Sequence, residues 1–241
     1  MSTDARINNT PGFILHTYPF KETSVVAEIF SREHGRVALI ARGARRPAST
    51  LRGLMQPFTP LLLSWFGKSD LKTLHAAEWQ GGLAPLSGMP LLCGFYLNEL
   101  LLKLLARDDP HEALFDYYHA TLSELARPAD DNLERILRRF ERHLLSEIGY
   151  AATFHEEAET ARPVREEQAY YFVPERGPYA GKGSGIGIPV SGRTLLDLDQ
   201  DRFDSPVTRA EAKQLMRALI NHHLGGKPLY TRQMLKELIE K

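Results

Sequence analysis

The sequence predicts a mixed α+β protein, because the spacing of its apolar residues changes along the chain. Residues 13–79 form short β-prone runs separated by polar breaks, whereas apolar residues recur at helical spacing from about residue 90. The chain has 241 residues, of which 43% are apolar, so it can bury a sizeable core as one large domain or two small ones. We therefore expect a strand-rich N-terminal part followed by helices.

The N-terminal part contains five short strand-like runs and one long loop. The loop is basic and separates the third run from the fourth, a pattern that fits a small antiparallel barrel. An OB-fold, which is a five-stranded, partly open barrel that often binds oligonucleotides, is the leading candidate for residues 1–80. The five runs are FILHTYPF, SVVAEIFS, RVALIARG, TPLLLSWF and LKTLHAAEW.

The rest of the chain is predicted to be an all-helical domain, formed by residues 81–149 and 205–241, with an insertion at residues 150–204. The insertion is polar and rich in glycine, so we expect short strands and irregular structure there. Helices are predicted at 90–107, 111–127, 131–148 and 208–224, with a last short helix after Thr231. Asp130 or Asp131 is the expected N-cap of the third helix, and Thr208 with Glu211 forms an expected capping box.

Positive charge is concentrated in the predicted barrel, although the chain has 30 basic and 30 acidic residues in total. No acid occurs between His34 and Ser69, and guanidinium groups in that segment could track a nucleic-acid backbone by pairing with phosphates. Trp65, in the following strand, could stack on bases or could belong to the barrel core. The candidate DNA-binding residues are Arg36, Arg42, Arg45, Arg46, Arg52, Trp65 and Lys68.

The predicted helix at 131–148 carries a second group of arginines. One face is apolar, and the opposite face carries Arg135, Arg138, Arg139 and Arg142 at i, i+3, i+4 and i+7. This pattern predicts a solvent-facing arginine stripe. Such a stripe could be an ordinary solvated surface, partly paired with neighbouring glutamates, or it could bind an acidic peptide or further phosphates.

Several classes of site are unsupported by the residues. Cys93 is the only cysteine, which excludes internal disulfides and multi-cysteine metal sites and suits a reducing cytoplasm. The polar N-terminus does not resemble a secretory signal. GKGSGIG at 181–187 lacks the spacing of a phosphate-binding loop and is expected to be a flexible hairpin, and no GxSxG occurs. The adjacent His222 and His223 are expected to point to different sides of a helix and to form no metal pair.

The chain resembles the RecO family of bacterial recombination mediators over about residues 12–236. Several segments carry the resemblance in the same order along the chain. They are ETSVVAEIFSREHGRVALIARGARR, MQPFTPLLL, KTLHAAE, YLNELLLKLL, RRFERHLLSEIGY and LGGKPLYTR. The resemblance implies an N-terminal OB-fold and a helical domain. Many relatives carry a four-cysteine zinc site in the insertion, and this chain has no cysteine there, so that site is excluded.

The resemblance also implies a function without enzymatic activity or cofactor. Members of this family bind single- and double-stranded DNA and anneal complementary strands. They also engage the acidic, apolar-ended tail of the single-stranded DNA-binding protein and act with RecR to help RecA load. By this resemblance Arg42, Arg45, Arg46 and Arg52 would contact DNA. Arg138, Arg139 and Arg142 lie in the matched segment of the domain that binds the tail.

Three other interpretations are compatible with the residues. A protein adaptor would bind acidic tails through the arginine stripe and use the barrel only as a scaffold. An RNA-binding OB protein would use the same barrel, basic loop and aromatic residues. A nuclease or ligase is the weakest alternative, because the sequence shows no metal-carboxylate cluster and no nucleophilic lysine motif.

Overall fold

The computed structural model describes residues 6–127, 133–150, 153–181 and 187–239, which form two compact units. Unit 1 comprises Met1–Pro128 and Leu229–Lys241, and unit 2 comprises Ala129–Pro228. The helices are α1 Gly88–Leu104, α2 Glu112–Leu125, α3 Leu133–Glu147, α4 Gly192–Asp199, α5 Pro206–His223 and α6 Tyr230–Ile239. Within the described residues, no helix is long and apolar enough to cross a membrane.

Unit 1 contains a closed five-stranded barrel, as the sequence predicted. The strand order is β1-β2-β3-β5-β4, and every pairing is antiparallel except that between β3 and β5. The first strand is longer than predicted because it begins before residue 13. The strands are β1 Arg6–Phe20, β2 Ser24–Ser31, β3 Gly35–Ala41, β4 Leu61–Phe66 and β5 Leu71–Trp79.

Alternation along the strands forms the barrel core. In β2, Ala27 and Ile29 point inward, and in β3 Val37 and Leu39 do the same, as expected for strands with one face in the core. The inward residues of all five strands form one apolar cluster, which also includes Trp65. A register shift between Ile14 and His16 interrupts the β1–β2 ladder, consistent with a bulge in a strand that must curve.

Helices α1 and α2 belong to the same compact unit as the barrel, and a buried polar chain joins them to it. The Asn98 side-chain amide donates to the carbonyl of Leu15 at 2.9 Å, and the Tyr118 hydroxyl donates to the Asn98 amide oxygen at 2.5 Å. Both side chains are almost fully buried. Burial raises the pKa of the Tyr118 hydroxyl, which therefore stays protonated and remains a donor.

Helix α6 is attached to α1 through the carboxylate of Glu99. The backbone N–H groups of Tyr230 and Thr231 donate to this carboxylate at 2.8 and 2.9 Å, and the Thr231 hydroxyl donates at 2.7 Å. Lys103 forms an ion pair with it at 3.0 Å. The Glu99 carboxylate therefore lies at the start of α6, where unpaired backbone N–H groups and the helix dipole favour a negative charge.

Unit 2 contains a three-stranded antiparallel sheet packed with helices α3, α4 and α5. The strands are β6 Ala169–Val173, β7 Gly177–Ala180 and β8 Ile188–Ser191, in the order β7-β6-β8. The sequence predicted short strands in the insertion but not α4. The predicted domain boundaries stay a prediction; they divide the chain into 1–80, 81–149 with 205–241, and 150–204. In the structure, α1 and α2 share a compact unit with the barrel. Asp130, Asp131 and residues 182–186 lie outside the described residues.

The predicted capping box of Thr208 and Glu211 is wrong, because α5 begins two residues earlier. Pro206 occupies its first turn and Ser205 is the N-cap residue. The Thr208 hydroxyl donates to the Asp197 carboxylate instead. Glu211 accepts hydrogen bonds from the backbone and hydroxyl of Ser191 and from the Thr194 hydroxyl. These residues join the start of α4 to α5, which a local sequence motif does not reveal.

We expect the buried polar chain to be worth more than one hydrogen bond. Tyr118→Phe leaves one buried acceptor unpaired and should lower the free energy of unfolding by about 1–2 kcal/mol. Asn98→Leu removes the hydrogen-bond partner of both the Leu15 carbonyl and the Tyr118 hydroxyl and should lower it by about 2–4 kcal/mol. Both tryptophans, Trp65 and Trp79, lie in the barrel, so their fluorescence during urea unfolding measures the stability of unit 1. An Asn98→Leu variant as stable as Tyr118→Phe would contradict this account.

The attachment of α6 should weaken in acid. Although burial raises the pKa of Glu99, hydrogen bonds from Thr231 and Tyr230 and the Lys103 contact lower it below its usual value overall. A carboxylate with a lowered folded pKa contributes stability that is complete above its unfolded value of about 4.3 and is lost as the pH falls through the folded value. The wild type should therefore exceed Glu99→Gln in urea midpoint near pH 6, and the difference should shrink below about pH 4.3. A constant difference from pH 3 to pH 7 would refute this role for the charge.

Candidate functional site

The basic loop between β3 and β4 covers one end of the barrel. Its residues Ala44, Leu51, Leu54 and Met55 pack against the barrel core. Arg42, Arg45, Arg46 and Arg52 are exposed on the same loop. The apolar side chains therefore anchor the loop, and the arginines face solvent from a fixed scaffold.

Successive turns give the loop a defined backbone. The Arg46 N–H donates to the Gly43 carbonyl at 3.0 Å, and the Ser49 N–H donates to the Arg46 carbonyl at 3.1 Å. The Arg52 N–H then donates to the Ser49 carbonyl at 3.1 Å. Gly43 begins the series with a φ of 69°, which glycine adopts at little cost. The loop residues that carry the charges are thus held by hydrogen bonds as well as by packing.

The loop also contacts the turn between β1 and β2, which brings a further cation to this end of the barrel. The Arg45 N–H donates to the Thr23 carbonyl at 2.8 Å, and its guanidinium reaches the Lys21 carbonyl at 3.4 Å. Lys21 is exposed beside the loop, next to Glu22. Sequence reasoning missed Lys21, although the pairing of Val25 with Ala41 places the start of β2 beside the end of β3.

The four exposed loop arginines have no ion-pair partner among the described carboxylates. Arg32 shows the contrast, because it forms ion pairs with Glu112 at 2.7 Å and Asp116 at 2.9 Å. A guanidinium without a carboxylate partner loses no ion pair when it binds an anion. The four arginines are Arg42, Arg45, Arg46 and Arg52.

The other predicted DNA-binding residues lie elsewhere. Trp65 is 1% exposed in the barrel core, edge-on to His34, so its ring has no free face for a base. Arg36 donates to the Leu102 carbonyl at 2.6 Å, and burial lowers its pKa. Lys68 is exposed in the β4–β5 turn, toward the opposite end of β3 from the loop, because Leu71 pairs with Ala38. We therefore correct the candidate set by removing Trp65 and Arg36 from the exposed basic surface.

The solvent-facing arginine stripe predicted on α3 is wrong. Arg138 is 9% exposed and pairs at 2.6 Å with Glu141, which is fully buried. Arg139 and Arg142 are partly buried and approach Asp201 at 3.6 and 2.9 Å. Of the four arginines, Arg135 is the one exposed to solvent. The face that the sequence left open is covered in unit 2 by the chain around α4 and the residues that follow it.

Arg142 binds the C-terminal end of α4. Its guanidinium donates to the carbonyl oxygens of Leu198 and Asp199 at 2.6 and 3.0 Å. Carbonyls in the last turn of a helix have no intrahelical donor, and the helix dipole makes that end partly negative, so a cation is favourable there. Arg142 therefore has a structural role in addition to any role in binding.

A cleft of about 170 Å³ opens beside Arg142, and sequence reasoning did not foresee it. Its apolar wall includes Leu145, Phe154, Met216 and Leu219, and its polar residues include Arg142, His143 and Asp199. Burial lowers the pKa of His143, with Glu147 opposing and Arg142 reinforcing the shift, so this imidazole is neutral at pH 7. The cleft combines an apolar floor with a guanidinium at its edge.

The side chains of His222 and His223 lie close together, although the sequence predicted that they point to different sides of the helix. His222 and His223 are adjacent on α5, yet one ligand atom from each lies within 4.8 Å of the other and of a Glu175 oxygen. Three potential metal ligands therefore meet where the sequence predicted no metal pair. Cys93 is buried in α1 and belongs to unit 1.

Comparison with known proteins assigns almost the whole chain. The family profile described as recombination protein O N terminal matches residues 5–82, and the one described as recombination protein O C terminal matches residues 89–233. DNA repair protein RecO of Thiobacillus denitrificans is 68% identical over all of this chain and 96% of its own length. DNA repair protein RecO of Nitrosospira multiformis is 52% identical over 94% of each chain. That of Aromatoleum aromaticum is 52% identical over the full length of both.

Proposed function

This chain belongs to the recombination protein O family, and from that membership we propose that it is a non-enzymatic mediator of DNA repair and homologous recombination. It binds single- and double-stranded DNA and anneals complementary strands. With RecR it helps to load RecA on DNA that is covered by single-stranded DNA-binding protein. Its expected place is the cytoplasm, in association with the nucleoid.

The observation that carries the proposal is the anchored basic loop at the end of the barrel. Arg42, Arg45, Arg46 and Arg52 are exposed and lack carboxylate partners among the described residues, and Lys21 lies beside them. Guanidinium groups bind phosphate oxygens and release condensed counterions. Such contacts position a strand without identifying its bases.

Annealing requires only that two strands approach each other while their bases stay free to pair. A surface that neutralises phosphates and leaves the bases uncovered meets that requirement. The burial of Trp65 supports this mode of binding over base stacking, because its ring is enclosed by the barrel core. An RNA strand carries the same phosphates, so competition between matched DNA and RNA strands separates the RNA-binding alternative.

The cleft in unit 2 supports the recruitment of a protein partner. An acidic tail that ends in an apolar residue could place that residue against Leu145, Phe154 and Met216 and its carboxylates near Arg142. The tail of single-stranded DNA-binding protein has this chemistry. Arg139 and Arg142 are the candidates for contact, whereas Arg138 is already held by the buried Glu141.

Removing three loop arginines should weaken binding to DNA and reduce its dependence on salt. The variant Arg42→Ala, Arg45→Ala, Arg46→Ala loses up to three phosphate contacts, and each contact to a single strand contributes about 0.7 to the slope of log K against log salt. We expect the slope to fall by about 2 and the affinity at 0.1 M salt to fall at least about tenfold. Fluorescence polarisation with a labelled single-stranded oligonucleotide measures both quantities.

A matched control distinguishes an effect of the basic loop from a general effect of net charge. Arg162, Arg165 and Arg176 are exposed in unit 2, and replacing them with alanine changes the net charge by the same amount. This control should keep most of the affinity and slope. Equal losses in the two triple variants, or no loss in the loop variant, would refute the basic loop as the DNA surface. A loop variant that binds DNA poorly but still binds the acidic peptide would not by itself exclude the protein-adaptor alternative. Strand annealing is therefore measured in parallel, and the proposal requires that the loop variant loses annealing as well.

Neutralising Asp201 should strengthen binding of an acidic peptide. Asp201 pairs with Arg139 and Arg142 and so competes with any incoming carboxylate. Asn tolerates the positive φ of this residue, so Asp201→Asn removes the charge with little strain. We expect a gain of about two- to fivefold in the affinity of a labelled acidic peptide with an apolar C-terminal residue, corresponding to one partly exposed ion pair.

The control for this measurement is Asp204→Asn, an exposed residue of the same unit with the same change of charge. Its affinity for the peptide should stay within experimental error of the wild type. A peptide with the terminal apolar residue replaced by serine should bind weakly to all three proteins. Equal gains in both variants would show a general electrostatic effect and would contradict binding in the cleft.

A further inference from the structure

Three potential metal ligands from two separate elements of unit 2 converge at the end of α5. His222 and His223 are the last two residues of that helix, and Glu175 lies in the turn between β6 and β7. One ligand atom from each residue lies within 4.8 Å of the other two. The turn and the helix end are 47 residues apart in the sequence, so the fold creates this grouping.

One pair of donor atoms has the spacing of neighbouring ligands in a tetrahedral metal site. The His222 Nε2 atom is 3.3 Å from the Glu175 Oε1 atom. Zinc bonds of about 2.0–2.2 Å to nitrogen and oxygen place neighbouring ligands about 3.3–3.6 Å apart. One pair is therefore already at the required separation, and small side-chain rotations would bring the third donor from within 4.8 Å.

Contacts outside the cluster hold the elements that carry the ligands. The His223 ring stacks on Tyr150, with the ring centroids 3.7 Å apart and the planes at 26°. Strand β6 pairs with β8, and Glu211 on α5 accepts hydrogen bonds from Ser191 at the end of β8. The sheet and the helix are thus joined independently of the three ligands, so an ion would not have to assemble the site.

The local charge favours a cation. Glu175 contributes a carboxylate, and the C-terminal end of α5 carries the negative end of the helix dipole. Two imidazoles and one carboxylate suit transition metals, whereas calcium and magnesium prefer oxygen ligands. The side chains of Glu175 and His222 are 57% and 48% exposed, which leaves room for a water as a fourth ligand.

We propose that Glu175, His222 and His223 form a binding site for a first-row divalent transition cation, with Zn²⁺ as the best fit. The bound ion joins the β6–β7 turn to the end of α5 and thereby stabilises unit 2. This site differs from a multi-cysteine site in its ligands and needs no thiol. It does not depend on the proposed DNA-binding function.

The test is titration of the metal-free, untagged full chain with Zn²⁺ alone by isothermal titration calorimetry. We expect one ion to bind per chain, with an affinity that falls at least about tenfold in His222→Ala and in Glu175→Gln. Co²⁺ in place of Zn²⁺ should give the visible absorption of a tetrahedral site in the wild type and lose it in both variants. Both replaced side chains are about half exposed, and circular dichroism of the metal-free proteins verifies that the variants fold.

The matched control is His155→Ala. His155 is also an exposed histidine of unit 2 and approaches two carboxylates, those of Glu156 and Asp199. Its variant should bind Zn²⁺ as the wild type does. The proposal is overturned if the wild type binds no Zn²⁺, if both ligand variants keep the wild-type affinity, or if the His155→Ala variant loses as much affinity as they do.

Discussion

The closure of the barrel by its first strand is the constraint on which unit 1 depends. The part of β1 that ends at Phe20 pairs with β2, and the part that begins at Arg6 pairs with β4. One continuous strand therefore joins both edges of the sheet. Closure leaves no long unpaired edge and forces the connection from β3 to β4 to pass across one end of the barrel. The basic loop therefore owes its position to strand pairing, and its arginines owe their exposure to the apolar residues that anchor it.

The barrel could be predicted well because the sequence patterns that mark its strands and its loop are local. The short β-prone runs and the polar breaks between them mark the strands, and the loop between β3 and β4 is recognisable by its length and charge. The absence of acids between His34 and Ser69 likewise located the segment that carries the exposed arginines. Lys21 was missed because its closeness to the loop depends on the register between β2 and β3.

Apart from helix α4, which was missed, and the start of α5, the errors concern what packs on an element. The period of α3 shows which residues share a face, and it does not show that Asp201 and the end of α4 meet Arg139 and Arg142. The same limit applies to the cleft, which is formed by side chains distant in sequence, such as Leu145 and Met216. Trp65 had two equal interpretations because an aromatic residue in a strand suits either a core or a binding surface.

The link between Glu99 and the start of α6 has a consequence for biosynthesis. The two parts are 131 residues apart, so a ribosome that adds about 5–20 residues per second needs roughly 7–26 s to make Tyr230 after Glu99. During that interval the nascent chain carries the Glu99 carboxylate on α1 without the backbone N–H groups of Tyr230 and Thr231 that bind it in the finished protein. The barrel can fold early, but unit 1 is completed only after unit 2 has been synthesised, so a chain that ends before Leu229 keeps an α1 surface without its α6 contacts.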